Sequence, residues 1–136
     1  MSREQDVRDV IEGIAESFSQ LDVDRWLSFF NPQHTFVHHD SVFVAQSLED
    51  TKNAFAPMIK ELKDSGFTRS ALDLCNIRFL GPKLALAATL WRRLGQNDEL
   101  LESFGASYTL LETAAGWKVV VATVHDDDAV LVDETR

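Results

Sequence analysis

The chain is poor in residues that constrain small proteins, with one cysteine, three prolines and one tyrosine among 136 residues. Because a disulfide needs two cysteines, an intrachain disulfide and a cysteine-based zinc cluster are both excluded. Cys75 is therefore interpreted as a small, buried apolar residue. No run of about 18 uncharged apolar residues is present, so no transmembrane helix is predicted.

Basic side chains are also scarce: the chain has 13 lysines and arginines and 22 acidic residues, which gives a formal net charge of -9. This balance repels phosphate backbones and anionic lipid surfaces, so neither nucleic acid nor a membrane is an expected partner. The adjacent Arg92 and Arg93 point to opposite faces of a strand and form no basic patch. Acidic residues gather at the C-terminal end, and residues 126–136 are predicted to be a solubilising tail. The charged residues 1–6 lack the apolar segment of a signal peptide, which favours a cytoplasmic location.

Helical periodicity dominates the first half of what is predicted to be one domain, residues 1–136. Ser2 and Gln5 can cap a long first helix, and a shorter second helix is expected to run from Asp22 to the Asn31-Pro32 step. Ser47 marks the start of a third helix. A short strand over residues 35–39 and an apolar segment over residues 42–44 lie between the second and third helices.

Strand periodicity replaces helical periodicity after Phe67, in runs over residues 68–80, 84–94, 100–112 and 117–124. Short turns between successive runs predict an antiparallel meander. The predicted class is therefore α+β, with three N-terminal helices packed on a curved, mostly antiparallel sheet. The last run is apolar on both faces, so a second layer is expected outside the sheet, most simply another copy of the chain. A homodimer through the sheet face is the prediction.

Two local patterns carry a family resemblance. Residues 24–32, Asp-Arg-Trp-Leu-Ser-Phe-Phe-Asn-Pro, resemble the second helix and turn of SnoaL-like, ketosteroid-isomerase-like and DUF4440-type proteins. Residues 116–119, Gly-Trp-Lys-Val, with His125 near the strand end, resemble their closing hairpin. The resemblance spans residues 3–126 and implies the cone-shaped, cystatin-like fold of nuclear transport factor 2 (NTF2) relatives. That architecture hosts isomerases, cyclases, dehydratases and binding modules alike, so it specifies activity poorly.

The four histidines lie in the first short strand or at the end of the last one, two regions that approach the cavity in the resembled fold. Strand alternation allows only one of His38 and His39 to face inward, and the sequence leaves open which. By resemblance, the end of this strand carries a catalytic aspartate in ketosteroid-isomerase-like enzymes, where this chain has His39 or Asp40. His125 shares strand parity with Trp117, which predicts a place on the concave face. His34, beside a proline turn, is expected to be exposed.

Apolar side chains of the helices and of the concave strand face are expected to form a pocket wall, because the two layers do not close fully in this fold. The predicted lining is Trp26, Phe30, Phe36, His38, Phe55, Met58, Trp91 and Tyr108. Tyr108 can donate a hydrogen bond to a carbonyl, or can pack at a dimer face instead. A metal set of two histidines and one carboxylate lacks any metal-binding spacing, so neither a metal nor a cofactor is predicted.

Three functions remain open at the level of sequence. The first is an isomerase, cyclase or dehydratase acting on a small apolar carbonyl compound, in which His39 moves a proton and His125, Tyr108 or a protonated Asp40 stabilises the oxyanion. The second is a non-catalytic protein that binds a small hydrophobic molecule. The third is an assembly module whose interior is filled by its own side chains.

Overall fold

The computed structural model describes residues 2–130, and three helices pack on one sheet within that range. Met1 and the end of the predicted acidic tail, residues 131–136, lie outside the described residues. The elements in chain order are α1 (Arg3–Ser19), α2 (Val23–Leu27), β1 (Phe30–His38), β2 (Ser41–Ala45), α3 (Leu48–Asp64), β3 (Arg69–Gly81), β4 (Leu84–Leu94), β5 (Leu100–Thr113) and β6 (Gly116–His125). Over residues 2–130, no helix is long and apolar enough to cross a bilayer.

The six strands form one sheet in the order β2-β1-β6-β5-β4-β3. All neighbours pair antiparallel except β1 and β6, which pair parallel. The predicted meander is confirmed as β3 to β6, and the segment over residues 42–44 pairs with β1 as the strand β2. The predicted α+β class with a mostly antiparallel sheet is therefore confirmed. The third helix follows β1 and β2, so the helices do not form one N-terminal block.

Side-chain caps fix the starts of α1 and α3. The hydroxyl of Ser2 accepts a hydrogen bond from the Gln5 amide at 3.1 Å, and the hydroxyl of Ser47 accepts one from the Asp50 amide at 3.1 Å. Each cap satisfies an amide that has no partner inside the helix. Both predicted helix starts are confirmed.

The predicted end of the second helix is wrong, because α2 stops at Leu27 and β1 already begins at Phe30. The cause is pairing with the last strand: the amide of Val119 donates to the carbonyl of Phe29 at 3.0 Å, and Phe30 is in register with Val119. A long-range strand partner therefore takes the segment that local periodicity assigned to a helix.

A bulge in β6 reverses the facing of its last residues. Leu110 pairs with Val119 while the preceding Thr109 pairs with Val121, so Val120 is an extra residue in the ladder. An extra residue shifts the side-chain alternation by one. Trp117 and Val119 face the core before the bulge, whereas Ala122 faces it afterwards.

One continuous apolar core lies between the helices and the inner face of the sheet. Its members from α1 are Val7, Ile11, Ile14 and Phe18, which pack with sheet residues such as Ala85, Ala87, Leu110 and Val119. Elsewhere the helices and the sheet separate and leave a cavity between them.

Candidate functional site

A cavity of about 410 Å³ lies where the helices and sheet separate. It is open to the surface, and its walls are predominantly apolar. Residues from all three helices and all six strands line it: Ile14, Phe18, Trp26, Phe36, His38, Ser41, Phe43, Phe55, Met58, Ser70, Trp91, Arg93, Glu102, Phe104, Tyr108 and Val124. Seven of the eight predicted lining residues are in this set, and their role in binding stays a prediction.

Phe30 is the exception among the predicted lining residues. Its side chain is 2% exposed and packs in the core, with its ring centroid 5.2 Å from that of Trp26 and 5.2 Å from that of His34. Because β1 begins at this residue, the side chain is fixed beneath the cavity wall and does not form part of it.

His34 is buried and not exposed as the sequence suggested. Its Nδ1 lies 2.8 Å from the carbonyl of Asn31 and its Nε2 lies 2.5 Å from the hydroxyl of Thr51. Since a carbonyl only accepts, Nδ1 donates and Nε2 accepts from Thr51. An irregularity in β1 between Phe30 and Thr35 places His34 under α3, where it ties the strand to that helix.

The structure separates the adjacent histidines that the sequence left unresolved. His38 shares the inward parity of Phe36 and lines the cavity at its mouth. His39 lies in the turn between β1 and β2 with a φ of 53°, is exposed, and does not line the cavity. The sequence favoured His39 as the group that moves a proton, and this exposed position does not support that role. Asp40 occupies the same turn and lines no cavity wall.

His125 lies on the face opposite Trp117, which corrects the predicted parity. The Val120 bulge turns Val124 into the cavity and His125 onto the outer face, over Gly105. The imidazole donates from Nδ1 to the carbonyl of Asp126 at 2.9 Å and accepts at Nε2 from the hydroxyl of Ser107 at 3.0 Å. Both ring nitrogens are therefore engaged in structural hydrogen bonds.

A second, polar depression of about 360 Å³ adjoins the mouth of the cavity. It brings together His38, His39 and His125 with Glu102 and the acidic residues 126–128. The first part of the predicted tail thus folds against the end of the sheet, with a short turn over Asp127–Ala129. Among residues 2–130, no group of three or more histidine, cysteine, aspartate or glutamate side chains is arranged to hold a metal ion.

The principal polar group of the cavity is Arg93, which the sequence analysis did not select. Its Nη1 donates to Oε1 of Glu102 at 2.8 Å, and its guanidinium carbon lies 4.8 Å from the Phe104 ring centroid and 5.4 Å from that of Phe18. Burial lowers the pKa of Arg93, and the neighbouring Glu102 opposes that shift. Strand alternation could have predicted this position, because Arg93 lies two residues after the inward Trp91 and therefore faces the same way.

Tyr108 provides a neutral hydroxyl on the adjoining wall. Burial raises the pKa of its phenol well above the ordinary range, against a smaller opposing effect of the Arg93 charge. The phenol therefore keeps its proton at physiological pH and can act as a hydrogen-bond donor. Tyr108 lies on the inner face of the sheet, so the alternative in which it packs at a dimer face is wrong.

Trp91 is held in place by a buried relay. Its indole Nε1 donates to the hydroxyl of Thr89 at 2.6 Å, and that hydroxyl donates to the carbonyl of Ala106 at 2.7 Å. Thr89 is fully buried, so the relay fixes the indole plane that forms part of the cavity wall.

The mixed sheet, the three helices and the cavity between them define an NTF2-like protein with a cystatin-like fold. The chain belongs to the DUF6841 family of NTF2-like proteins, whose family profile matches residues 3–127. A search of curated proteins gives no match. The finer assignment to a SnoaL-like or DUF4440-type branch stays a prediction.

Solved structures share this fold at low sequence identity. An NTF2-like protein of unknown function from Shewanella oneidensis superposes with a TM-score of 0.77 at 13% identity, over 92% of this chain and 100% of that chain. An NTF2-like protein with a cystatin-like fold from Novosphingobium aromaticivorans gives 0.74 at 13% identity, over 93% and 82%. A cystatin-like protein of unknown function from Nostoc punctiforme gives 0.73 at 12% identity, over 93% and 92%. These similarities concern the fold alone.

Proposed function

We propose that this protein binds a small, largely apolar organic molecule in the cavity between its helices and sheet. The observation that carries the proposal is a cavity of about 410 Å³ whose walls are mainly apolar, with polar groups that include Arg93, Glu102 and Tyr108. This volume falls within the range of about 300–1,000 Å³ typical of small-molecule sites. The alternative of an assembly module requires an interior filled by its own side chains, and this cavity argues against it.

Burial of a ligand would remove apolar wall surface from water. Trp26, Phe36 and Phe55 form one wall, with ring centroids of Phe36 and Phe55 4.7 Å apart and those of Trp26 and Phe55 5.7 Å apart. Each square ångström of apolar surface removed from water contributes roughly 25 cal/mol. Mutual packing holds these rings in position before a ligand arrives, which limits the entropy lost on binding.

The test is calorimetric titration with 1-naphthaleneacetamide, a neutral aromatic probe. Ser70 lines the cavity, whereas the next residue along β3, Ala71, points to the outer face. Ser70→Phe is expected to weaken binding about tenfold or more by filling the cavity, while the matched control Ala71→Phe leaves it unchanged. Absence of saturable binding to the unaltered protein, or equal binding by both variants, would contradict the proposal.

A second candidate function is proton transfer on a carbonyl compound bound in the same cavity. His38 and Tyr108 both line the cavity, which supports a histidine base and a neutral phenol donor for the developing oxyanion. This assignment gives His38 the role that the sequence favoured for His39. Isomerases, cyclases and dehydratases that need no cofactor use such chemistry.

Deuterium exchange at the carbon beside the carbonyl of 2-tetralone tests this second candidate. General base catalysis predicts an acceleration over buffer of about a hundredfold, lost in His38→Gln and retained in His39→Gln. Exchange at the buffer rate, or equal loss in both variants, would leave binding as the function.

We also propose that two copies of the chain associate through the outer face of the sheet. Leu74, Leu86 and Leu90 lie on that face by strand register, and Leu111 on the neighbouring strand is 39% exposed. Contiguous apolar residues on an outer sheet face favour a protein partner. Sedimentation velocity is expected to show a dimer that Leu90→Lys converts to monomers, and a monomeric unaltered protein would contradict this.

A further inference from the structure

We propose that the ligand of the cavity is an amphipathic acid, whose carboxylate binds Arg93 while its apolar body lies among the aromatic side chains. This inference rests on the proposed binding function and specifies the chemical class of the molecule bound. It is carried by the position of Arg93, by the unequal exposure of the ion pair it forms, and by the hydrogen-bond donors beside it.

Arg93 is positioned as a built-in cation at an apolar site. It faces inward from β4, lines the cavity, and its side chain is only 16% exposed. The rings of Phe18 and Phe104 lie near its guanidinium and hold the plane of the group. Within residues 2–130, the buried Nε of Arg93 has no hydrogen-bond partner. Because that Nε is enclosed by protein, a ligand in the cavity reaches the terminal amino groups of the guanidinium, of which only Nη1 is hydrogen-bonded within the described residues, to Glu102.

The existing partner of Arg93 leaves room for a second anion. Glu102 contacts only Nη1, and its side chain is 53% exposed, so water screens much of its charge. The guanidinium, in contrast, is largely removed from water. A carboxylate inside the cavity would meet the poorly hydrated cation, whereas Glu102 remains at the mouth, between the cavity and the polar depression.

The polar groups around Arg93 are matched to an acceptor. Tyr108 retains its proton because burial raises the pKa of the phenol. The indole N–H of Trp91 is already used by Thr89, and its ring therefore adds apolar wall. A ligand amine would be repelled by Arg93, and a neutral ligand would form no ion pair with the poorly hydrated guanidinium.

The overall charge does not reverse this preference. The net charge of -9 and the acidic residues 126–128 near the mouth slow the approach of an anion. Exposed charges are largely screened beyond about 8 Å at physiological ionic strength. Contact with Arg93 inside the cavity is screened much less, so it governs affinity while the acidic mouth chiefly affects the association rate.

The test compares two isosteric probes, 1-naphthaleneacetate and 1-naphthaleneacetamide, by calorimetry at about pH 7.5 and about 0.15 M salt. The acid is expected to bind about tenfold or more tightly than the amide, since it adds a charge-assisted hydrogen bond to a poorly solvated cation. Arg93→Gln is expected to abolish this difference in affinity between the two probes. The matched control Arg92→Gln alters the adjacent, outward arginine that pairs with Asp73, and should preserve the difference.

Glu102→Gln supplies an independent variant that retains Arg93. Removing the competing carboxylate is expected to tighten the binding of 1-naphthaleneacetate about threefold or more and so to widen its affinity ratio over 1-naphthaleneacetamide. Equal affinity of the two probes for the unaltered protein, or a parallel loss of both in Arg93→Gln, would overturn the acid assignment and leave the proposed binding function standing. If neither probe binds, the binding function itself fails, and this inference fails with it.

Discussion

The Nε2 of His34 lies 2.5 Å from the hydroxyl oxygen of Thr51, and both side chains are buried. His34 belongs to β1 and Thr51 to the first turn of α3, so this hydrogen bond joins a strand inside the sheet, next to the edge strand β2, to the helix that covers the cavity. The carbonyl of Asn31 accepts from the other ring nitrogen. The imidazole therefore has a structural role, with both ring nitrogens hydrogen-bonded.

Thr51→Val is expected to destabilise the fold by about 1–3 kcal/mol, because it leaves Nε2 of His34 buried without a donor. The shape of the side chain is nearly unchanged, so the loss reports the hydrogen bond. Urea denaturation measures the free energy of unfolding, and Thr51→Ser, which keeps the hydroxyl, should lose less. A valine variant as stable as the unaltered chain would refute this role for His34.

Thr89→Val is expected to cost about 1–3 kcal/mol of stability, since it removes the acceptor of the buried Trp91 N–H and the donor to the Ala106 carbonyl. The freed indole should also change its environment, which tryptophan fluorescence detects. Thr89→Ser serves as the control because it preserves both hydrogen bonds. Identical stability and emission spectra for the two variants would show that the relay does not hold Trp91.

Gly105→Ala is expected to destabilise the protein by about 1–3 kcal/mol through overpacking. An added methyl would lie 2.6 Å from Nδ1 of His125 and 2.9 Å from the carbonyl oxygen of Asp126. Gly81→Ala, with no atom within 4 Å of the added carbon, is the matched control and should change stability by less than about 0.5 kcal/mol. Similar thermal unfolding of both variants would contradict the placement of His125 over the outer face.

The ionisation of Tyr108 gives an alkaline test of the buried phenol. Its folded pKa is raised above the ordinary value near 10, so the folded chain keeps a proton that the unfolded chain releases. The stabilisation that the folded chain gains from the neutral, buried phenol is intact below about pH 10. It declines as the pH rises further, because the unfolded chain then releases the phenol proton. Because Tyr108 is the only tyrosine, tyrosinate absorbance reports it directly.

Tyr108→Phe provides the matched comparison for this titration. The phenylalanine variant should lose stability less steeply above about pH 10, because it has no phenol to ionise on unfolding. Appearance of tyrosinate in the native protein at the ordinary midpoint would show that the hydroxyl is in contact with bulk water. The Tyr108 hydroxyl would then not be the buried, neutral hydrogen-bond donor assigned to the cavity wall.

Strand alternation over residues 84–94 predicts the facing of several cavity residues from the sequence alone. The run coincides with β4, and its alternation puts Trp91 and Arg93 on one face and Arg92 on the other. The same alternation that excludes a basic patch at Arg92 and Arg93 also places Arg93 beside Trp91 in the cavity. In this strand the pattern held enough information, since no bulge interrupts residues 84–93.

The first part of the chain shows where local signals were insufficient. Residues 28–30 have helical apolar spacing, yet they leave the helix because β6 supplies backbone partners from about 90 residues away. His34 follows a proline turn that favours exposure, and α3 covers it with Thr51. In both cases, a distant segment determines the outcome.

Sequence by itself determined the α+β class, the helix caps and the meander, because these depend on the periodicity of apolar residues and on short-range hydrogen bonds. Tertiary structure alone decided which polar groups reach the cavity. A single extra residue at Val120 turns His125 outward and Val124 inward, and the β1–β2 turn places His38, instead of His39, at the mouth. Side-chain facing after a bulge or in a turn depends on pairing between strands distant in sequence, which local periodicity does not encode.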